Sequence, residues 1–163
     1  MTSKAEFNAE EWERVLQGPA VAGIMVIASD RGGSLRESIA VGKVYTDAAA
    51  KGKGTILGEV ASTPPKIDRE AMGTREELVV RGPQIISEAV SILEAHATPE
   101  EVDEFKRFCL EVAEHAAERT KTGGFLGIGG TRISQEESST LDQIAGTLGI
   151  DRSVSGPAPA DSD

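Results

Sequence analysis

Cysteine is almost absent from this sequence, since Cys109 is the only one in 163 residues. A single cysteine excludes a disulfide within the chain and favours a reducing compartment, so we expect the protein in the cytoplasm. Cys109 falls in an apolar-periodic run that contains Phe105, Phe108 and Val112. Burial among such side chains raises the pKa of a thiol, which predicts a small core residue rather than a nucleophile.

Aromatic residues and long apolar stretches are also scarce. Aromatic residues make up 4% and hydrophobic residues 39% of the chain, so a core must close on small aliphatic side chains, as tightly packed helices allow. The longest apolar stretch, 20–28, is too short to cross a bilayer. The first residues lack the basic region and apolar run of a secretory signal. We therefore expect no transmembrane segment.

Positive charge is outnumbered by negative charge. The chain has 17 Lys and Arg residues against 27 Asp and Glu residues, a net charge of −10 at pH 7. Such a field repels phosphate backbones and anionic lipid headgroups, so nucleic acid is not expected as a partner. Acidity of this kind favours solubility, and a surface that collects cations is the alternative.

Helix start signals recur along the chain. Each consists of a capping side chain and an acid three residues later, which together satisfy two amide groups of the first turn. The pairs are Asn8 with Glu11, Ser34 with Glu37, Thr98 with Glu101 and Ser134 with Glu137. Apolar residues follow each pair at helical spacing, and Gly149 predicts the end of the last helix.

Proline and glycine predict where helices break. Gly18 is expected to end a first helix, and Pro19 to open a second, central helix through 20–28. A later helical run begins at Arg75, includes Leu78 and Val79 among its apolar positions and ends at His96. Because Pro83 lies inside this run, we expect a break or kink at 80–82. Between 52 and 74 the pattern loosens to one or two helical turns, and no period-two alternation supports a strand.

These signals predict an all-α fold, a compact bundle of about six to seven helices. We expect a single helical domain over 1–150 and a disordered C-terminal tail over 151–163, because the tail has too few apolar residues to bury. Two segments, 23–42 and 108–150, share an apolar helix, a glycine-rich bend and a Ser-x-x-Glu start. This indicates a pseudo-twofold pair of helical hairpins.

Short motifs in the two hairpins resemble those of a known family. They are Asp30, Ser34 and Glu37 in the first hairpin, and Ser134, Glu137 and the ending LDQIAGTLGI in the second. They resemble the tellurite-resistance TerB-like helical family, whose hairpins carry Ala-Asp-Gly, then Ser, then Glu seven residues after the Asp. Gly130 stands where the second acid is expected, and residues 52–94 are not covered. The resemblance implies a compact bundle with an acidic cation-binding patch and a role in stress or envelope-linked complexes.

Asp30 and Glu37 form a candidate metal site. They flank a glycine-rich bend and the positive end of a helix, where carboxylates gain amide and dipole contacts. Together with backbone carbonyls they predict a weak site for a divalent cation such as calcium. The alternative is that Glu37 only completes the capping box while Asp30 binds local amides. The spacing does not match the calcium loop of a helix-loop-helix site.

The string GGFLGIGG at 123–130 is the second candidate site. Its glycines match neither GxGxxG nor a Walker loop, so phosphate binding is not expected. Phe125, Leu126 and Ile128 either pack onto the protein's own core or form an exposed finger. In the second case they bind a partner protein or ligand, or contact a membrane surface.

No set of nucleophile, base and orienting residue is recognisable, so an enzyme is not predicted. The first hypothesis is a non-enzymatic, soluble, TerB-like helical module that binds partner proteins and a divalent cation in a stress response. The alternative is a small-molecule carrier or enzyme-like protein, with an inter-helix cavity beneath the loop 123–133. A homo-oligomer that uses the same loop is the third hypothesis.

Overall fold

The computed structural model describes residues 1–29, 38–63, 65, 73–120 and 135–152, without the side chains of 38–40 and 118–120. Within these ranges the fold is all-α, as predicted, and contains no strand. A 3-10 helix (Lys4–Glu6) precedes six α-helices in this part of the chain. They are α1 (Ala9–Ser29), α2 (Ser38–Lys51), α3 (Ile56–Ser62), α4 (Arg75–His96), α5 (Pro99–Thr120) and α6 (Gln135–Leu148). Among the helices of these ranges, none is both long enough and apolar enough to cross a bilayer.

Helix α1 lies at the centre of the bundle. It packs against α4, α5 and α6, while α2 and α3 pack against each other and against α5. The fully buried side chains are mostly aliphatic, and the largest of them are Phe105, Phe108, Ile56, Ile86, Leu93, Leu141 and Ile144. The prediction of a central helix through 20–28 is therefore confirmed. The bends of the two predicted hairpins lie outside the described residues, and their pseudo-twofold pairing stays a prediction.

The predicted helix boundary at Gly18 and Pro19 is wrong, because α1 continues through both residues. A β-carbon at Gly18 would lie 3.0 Å from the Cβ atom of Ala89 and 3.2 Å from Cζ of Phe105. Gly18 therefore allows α1 to approach α4 and α5 closely. Packing along the buried sides of α1 outweighs the backbone hydrogen bond that Pro19 removes from the helix.

The predicted break at 80–82 is also wrong, since α4 is continuous across Pro83, whereas the kink predicted as its alternative stays a prediction. Proline leaves the carbonyl of Val79 without its helical donor. The side-chain amide of Gln143 in α6 lies 3.5 Å from this oxygen and partly replaces that donor. Gly82 lets α1 come close at this point, because a β-carbon there would overlap the side chain of Met25.

Two of the predicted helix starts are confirmed in atomic detail. The side-chain oxygen of Asn8 accepts from the Glu11 amide at 2.9 Å, and Glu11 accepts from the Asn8 amide at 2.9 Å. Thr98 and Glu101 make the same reciprocal pair at the start of α5, at 3.3 and 3.0 Å. Both are capping boxes that satisfy amide groups the first turn would otherwise leave free.

The end of α6 is also as predicted. Gly149 has a φ of +70°, and the residue after it donates its amide to the carbonyl of Ala145 at 2.9 Å, as in a Schellman motif. Beyond this point Arg152, in the predicted tail, binds the carboxylate of Asp142 at 2.5 Å. The remainder of the predicted tail, 153–163, lies outside the described residues.

A close corner joins α2 to α3. Helix α2 ends at Lys51, and α3 is the helical segment of one or two turns expected between 52 and 74. The Thr55 hydroxyl caps α3 by accepting from the Gly58 amide at 3.2 Å. A β-carbon on Gly58 would overlap the carbonyl oxygen of Gly52, so the two backbones are in direct contact.

Candidate functional site

The residues predicted for binding lie outside the part of the chain that the structure describes. They are Asp30, Glu37, Phe125, Leu126 and Ile128. The metal site and the partner-binding loop therefore stay predictions. Their points of attachment are described, because Asp30 directly follows Ser29 at the end of α1, and the segment 121–134 leads into Gln135 at the start of α6.

A groove of about 490 Å³ opens where these two points of attachment lie. It runs between the last turn of α1, the first turns of α4 and the first half of α6, and we call it the α1–α4–α6 groove. Its apolar lining residues are Met25, Ala28, Leu78 and Val79, and its polar ones are Ser29, Arg75, Gln135, Glu136, Ser139, Thr140 and Gln143. The groove is thus lined by four apolar and seven polar residues.

Two valines expose apolar surface beside this groove. Val79 is 51% exposed and Val80 is 65% exposed, whereas Leu78 before them is buried. A helix that packs on one side cannot turn three consecutive apolar side chains towards the core. Val79 was among the predicted apolar positions of this helix and Val80 was not, although three consecutive apolar residues in a helix indicate an exposed patch.

The groove is held together by polar contacts and carries acidic residues. The guanidinium of Arg75 donates to the backbone carbonyl of Ser29, which joins the start of α4 to the end of α1. This contact satisfies one of the carbonyls that a helix end leaves free. The first turns of α4 and α6 each contain two glutamates, and one of these, Glu136, lines the groove.

A polar cluster ties the N-terminal residues to the start of α5. The carboxylate of Glu101 accepts from the Thr2 amide at 2.9 Å, the Thr2 hydroxyl at 2.7 Å and the Thr98 amide at 3.0 Å. Burial by itself would raise the pKa of Glu101, but the hydrogen bonds from Thr98 and Thr2 outweigh it and lower the pKa below its ordinary value. Glu101 is therefore a structural carboxylate rather than a proton donor.

The core contains two further titratable groups. Cys109 is fully buried, as predicted, and burial raises the pKa of its thiol. The hydroxyl of Tyr45 is buried without a hydrogen-bond partner, and burial, followed by the nearby Cys109, raises the pKa of this phenol. A thiol that water does not reach cannot act on a dissolved substrate.

No group of three or more His, Cys, Asp or Glu side chains that could hold a metal ion is present in the described ranges. His96 is instead part of the packing. Its Nε2 atom lies 3.6 Å from the carboxylate of Glu11, and its ring centroid lies 4.7 Å from that of Phe7. The cation prediction at Asp30 and Glu37 is not tested by this finding, since both residues lie outside these ranges.

A second pocket, of about 300 Å³, lies at the start of α1. We call it the Trp12 pocket, and its lining residues are Lys4, Phe7, Asn8, Ala9, Trp12, Glu13, Leu16, Gln17 and Thr63. The indole Nε1 atom of Trp12 is buried and has no hydrogen-bond partner among the residues that the structure describes. No sequence motif indicated this pocket, because its walls come from the first residues, α1 and the residue after α3.

No family model matches the chain, and no curated protein or solved structure shows significant similarity to it. The TerB-like resemblance therefore rests on its short motifs alone and stays a hypothesis. What the described residues define is a small all-α bundle with an apolar groove at one end and a separate pocket at the start of α1.

Proposed function

We propose that this chain is a non-enzymatic helical module that binds a protein partner in the cytoplasm. The partner presents an amphipathic segment with basic flanks, whose apolar side chains enter the α1–α4–α6 groove. Phe125, Leu126 and Ile128 add contacts from the segment that leads into α6. The TerB-like resemblance adds a stress-response setting and a weakly bound divalent cation, such as calcium, at Asp30 and Glu37.

The exposed pair of Val79 and Val80 is the observation that carries the proposal. Isolated apolar side chains on a surface need no explanation, but contiguous ones beside a groove are typical of a binding site. The groove also presents both apolar and polar side chains, as protein interfaces do. A partner segment would cover both valines and fill the groove above Leu78.

Charge favours a basic partner. The chain has a net charge of −10, and the exposed glutamates Glu76, Glu77 and Glu136 belong to the first turns of α4 and α6 that border the groove. Such a field accelerates the approach of a basic segment and disfavours an acidic one. The cation at Asp30 would sit beside the carbonyl end of α1, which offers oxygen ligands of the kind that calcium takes.

The partner proposal is tested with an eighteen-residue amphipathic peptide of leucine and lysine, using fluorescence anisotropy. We expect saturable binding to the wild-type chain, and at least tenfold weaker binding to the double variant Val79→Ser with Val80→Ser. This variant keeps the charge of the protein, so purely electrostatic binding would not change. Ala95→Ser, at an exposed position near the other end of α4, is the matched control and should bind as the wild type does.

Equal affinity of the double variant and the wild type would refute the groove as the binding surface. Equal binding of a leucine–glutamate peptide would refute the charge preference. The cation is tested separately by thermal unfolding in millimolar calcium. A ligand that binds only the folded state raises the melting temperature. No rise, or the same rise after Asp30→Ala with Glu37→Ala, would remove the cation from the proposal.

A further inference from the structure

The indole N–H of Trp12 is an unsatisfied donor in a protein whose other described buried donors are almost all paired. Trp12 is 4% exposed, and its Nε1 atom has no acceptor. Leaving a buried donor without a partner destabilises the folded state, so such groups usually have an acceptor. Because Trp12 lines a pocket of about 300 Å³, an acceptor on a bound molecule is the simplest way to supply one.

The walls of the Trp12 pocket suit a small molecule with an apolar body. Phe7, Trp12 and Leu16 are buried side chains that present apolar surface to it. The rings of Phe7 and Trp12 lie 5.6 Å apart at an angle of 53°, so they form two adjoining walls. An aromatic or short aliphatic group fits between such walls better than a polar one.

The charges around the pocket favour an anionic head on that molecule. The ammonium of Lys4 lies 5.7 Å from the centre of the Trp12 ring, and the carboxylate of Glu59 accepts from the backbone amide of the same lysine. Asn8 and Ala9 place the positive end of the α1 dipole at the same pocket. Glu13 on the rim is already engaged in an interaction within the protein.

The acids of the first turn of α1 are also engaged. Glu10 pairs with Arg14 at 2.9 Å, and Glu11 binds the Asn8 amide and lies near His96. They therefore compete less for Lys4 than their number suggests.

We propose that the Trp12 pocket binds a small monocarboxylate with an aromatic or short aliphatic body. The carboxylate accepts a hydrogen bond from the indole N–H of Trp12 and pairs with the ammonium of Lys4, while the apolar body lies against Phe7 and Leu16. Because the indole nitrogen is buried, a ligand must displace a side chain at the pocket rim to reach it, and Lys4, whose ammonium lies over the Trp12 ring, is the one placed to move. Its side chain is exposed, so this movement leaves the core undisturbed. The site is separate from the α1–α4–α6 groove.

The test uses phenylacetate as the probe and the full-length, ¹⁵N-labelled chain. Trp12 is the only tryptophan, so the spectrum contains a single indole N–H resonance that reports on this atom alone. We expect the indole proton to shift downfield and the shift to saturate, with a Kd on the order of 1 mM for a ligand of this size. Lys4→Gln should weaken binding about three- to fivefold, as expected for a partly exposed ion pair.

Four controls make the result specific. Lys53→Gln, an exposed lysine elsewhere, should leave the Kd unchanged. Phenylacetamide should bind more weakly than phenylacetate, and 2-phenylethylamine should not saturate. Trp12→Phe removes the donor but keeps an aromatic ring, so calorimetry should show weaker phenylacetate binding, after circular dichroism has verified its helical content. An indole resonance that does not move, or one that moves equally with the amine or in Lys4→Gln, would overturn the proposal.

Discussion

Glu101 completes the cap of α5 and also binds Thr2, a residue 99 positions away in the chain. The cap was predictable, because Thr98 and Glu101 are close in sequence and a capping box has a local geometry. The contact with Thr2 was not predictable, since no local pattern indicates which distant segment will meet a helix start. For this carboxylate, the sequence therefore predicts the local contact with Thr98 but not the distant contact with Thr2.

Glu101→Gln should lower the free energy of unfolding by about 1–3 kcal/mol, because an amide NH₂ group replaces one of the two oxygens that accept hydrogen bonds. The pKa of Glu101 is lowered in the folded state, so its contribution is full above the unfolded value of about 4.3. This contribution is lost as the pH falls below that value and through the folded one. Urea unfolding at a series of pH values should therefore show a steeper acid decline for the wild type than for the variant.

The neighbouring residue is the control for this experiment. Glu100 is exposed, so Glu100→Gln should change the free energy of unfolding little and should keep the wild-type pH dependence. Parallel pH curves for the wild type and Glu101→Gln would show that the ionised form of Glu101 contributes nothing to the stability of the folded state.

The Trp12 pocket illustrates the same limit for the candidate sites. The sequence shows one tryptophan on the apolar side of a helix, which predicts burial. It does not show that the indole N–H lacks an acceptor, because this depends on side chains contributed by segments as far apart as Lys4 and Thr63. An unpaired donor of this kind can be recognised only from the packing of the helices in the structure.

At the scale of the helix, the ends were predictable and the interiors were not. Arg75 and His96 bound α4 as expected from its apolar periodicity, although the capping box of Thr74 and Glu77 at its start was not among the predicted pairs. The breaks expected at Pro19 and Pro83 are absent, because packing over the whole length of a helix outweighs one missing hydrogen bond. Gly18 was likewise predicted to end a helix, whereas in the structure it allows α1 to pack closely against α4 and α5.

The corner between α2 and α3 gives a prediction for two glycines. Gly58→Ala should lower the free energy of unfolding by about 1–3 kcal/mol, because the new methyl group would overlap the carbonyl of Gly52 and force the backbones apart. Gly42→Ala, in α2, should instead raise it by about 0.5–1 kcal/mol, since nothing lies within 4 Å and alanine favours the helix. Thermal and urea unfolding would measure both changes.

These two substitutions add the same single carbon to the chain, so their opposite signs separate packing from helix propensity. If Gly58→Ala is as stable as the wild type, the close contact between Gly52 and Gly58 does not constrain the corner. If Gly42→Ala is destabilising, α2 makes contacts at that position that the described structure does not contain.

At the scale of the whole molecule, the all-α class was predictable from the small aliphatic residues and the capping pairs. The α1–α4–α6 groove was not, because it forms where three helix ends from distant parts of the chain meet. Sequence analysis instead placed the candidate sites in the connecting segments, at Asp30 and Phe125. Two of those segments, which carry Asp30 and Phe125, join the described helices at this same groove. The sites predicted from the sequence are therefore attached at the end of the molecule where the groove lies.

Cys109 should report on the unfolding of the entire bundle. It is fully buried in α5, and burial raises the pKa of its thiol, so Ellman's reagent reaches it only when the core opens. We expect its reaction to be at least about 1,000-fold slower in the native chain than in guanidinium, given the usual stability of a single domain. Because it is the only cysteine, the absorbance change has a single source.

An exposed thiol provides the comparison for this measurement. Ser87→Cys in a Cys109→Ala chain places the group on the outer side of α4, where it should react at the rate of an unprotected thiol. If Cys109 in the wild-type chain reacts nearly as fast, α5 separates from its neighbours in local motions and the core is not one cooperative unit.

The residues that precede α1 seal one end of the helical bundle. Phe7 lies between the rings of Trp12 and His96, and Thr2 is held by Glu101. Met1, in contrast, is 92% exposed. An affinity tag fused ahead of Met1 would therefore leave these contacts intact. A shortened chain that began at the first helix would lack Phe7 and would expose the Trp12 indole to solvent.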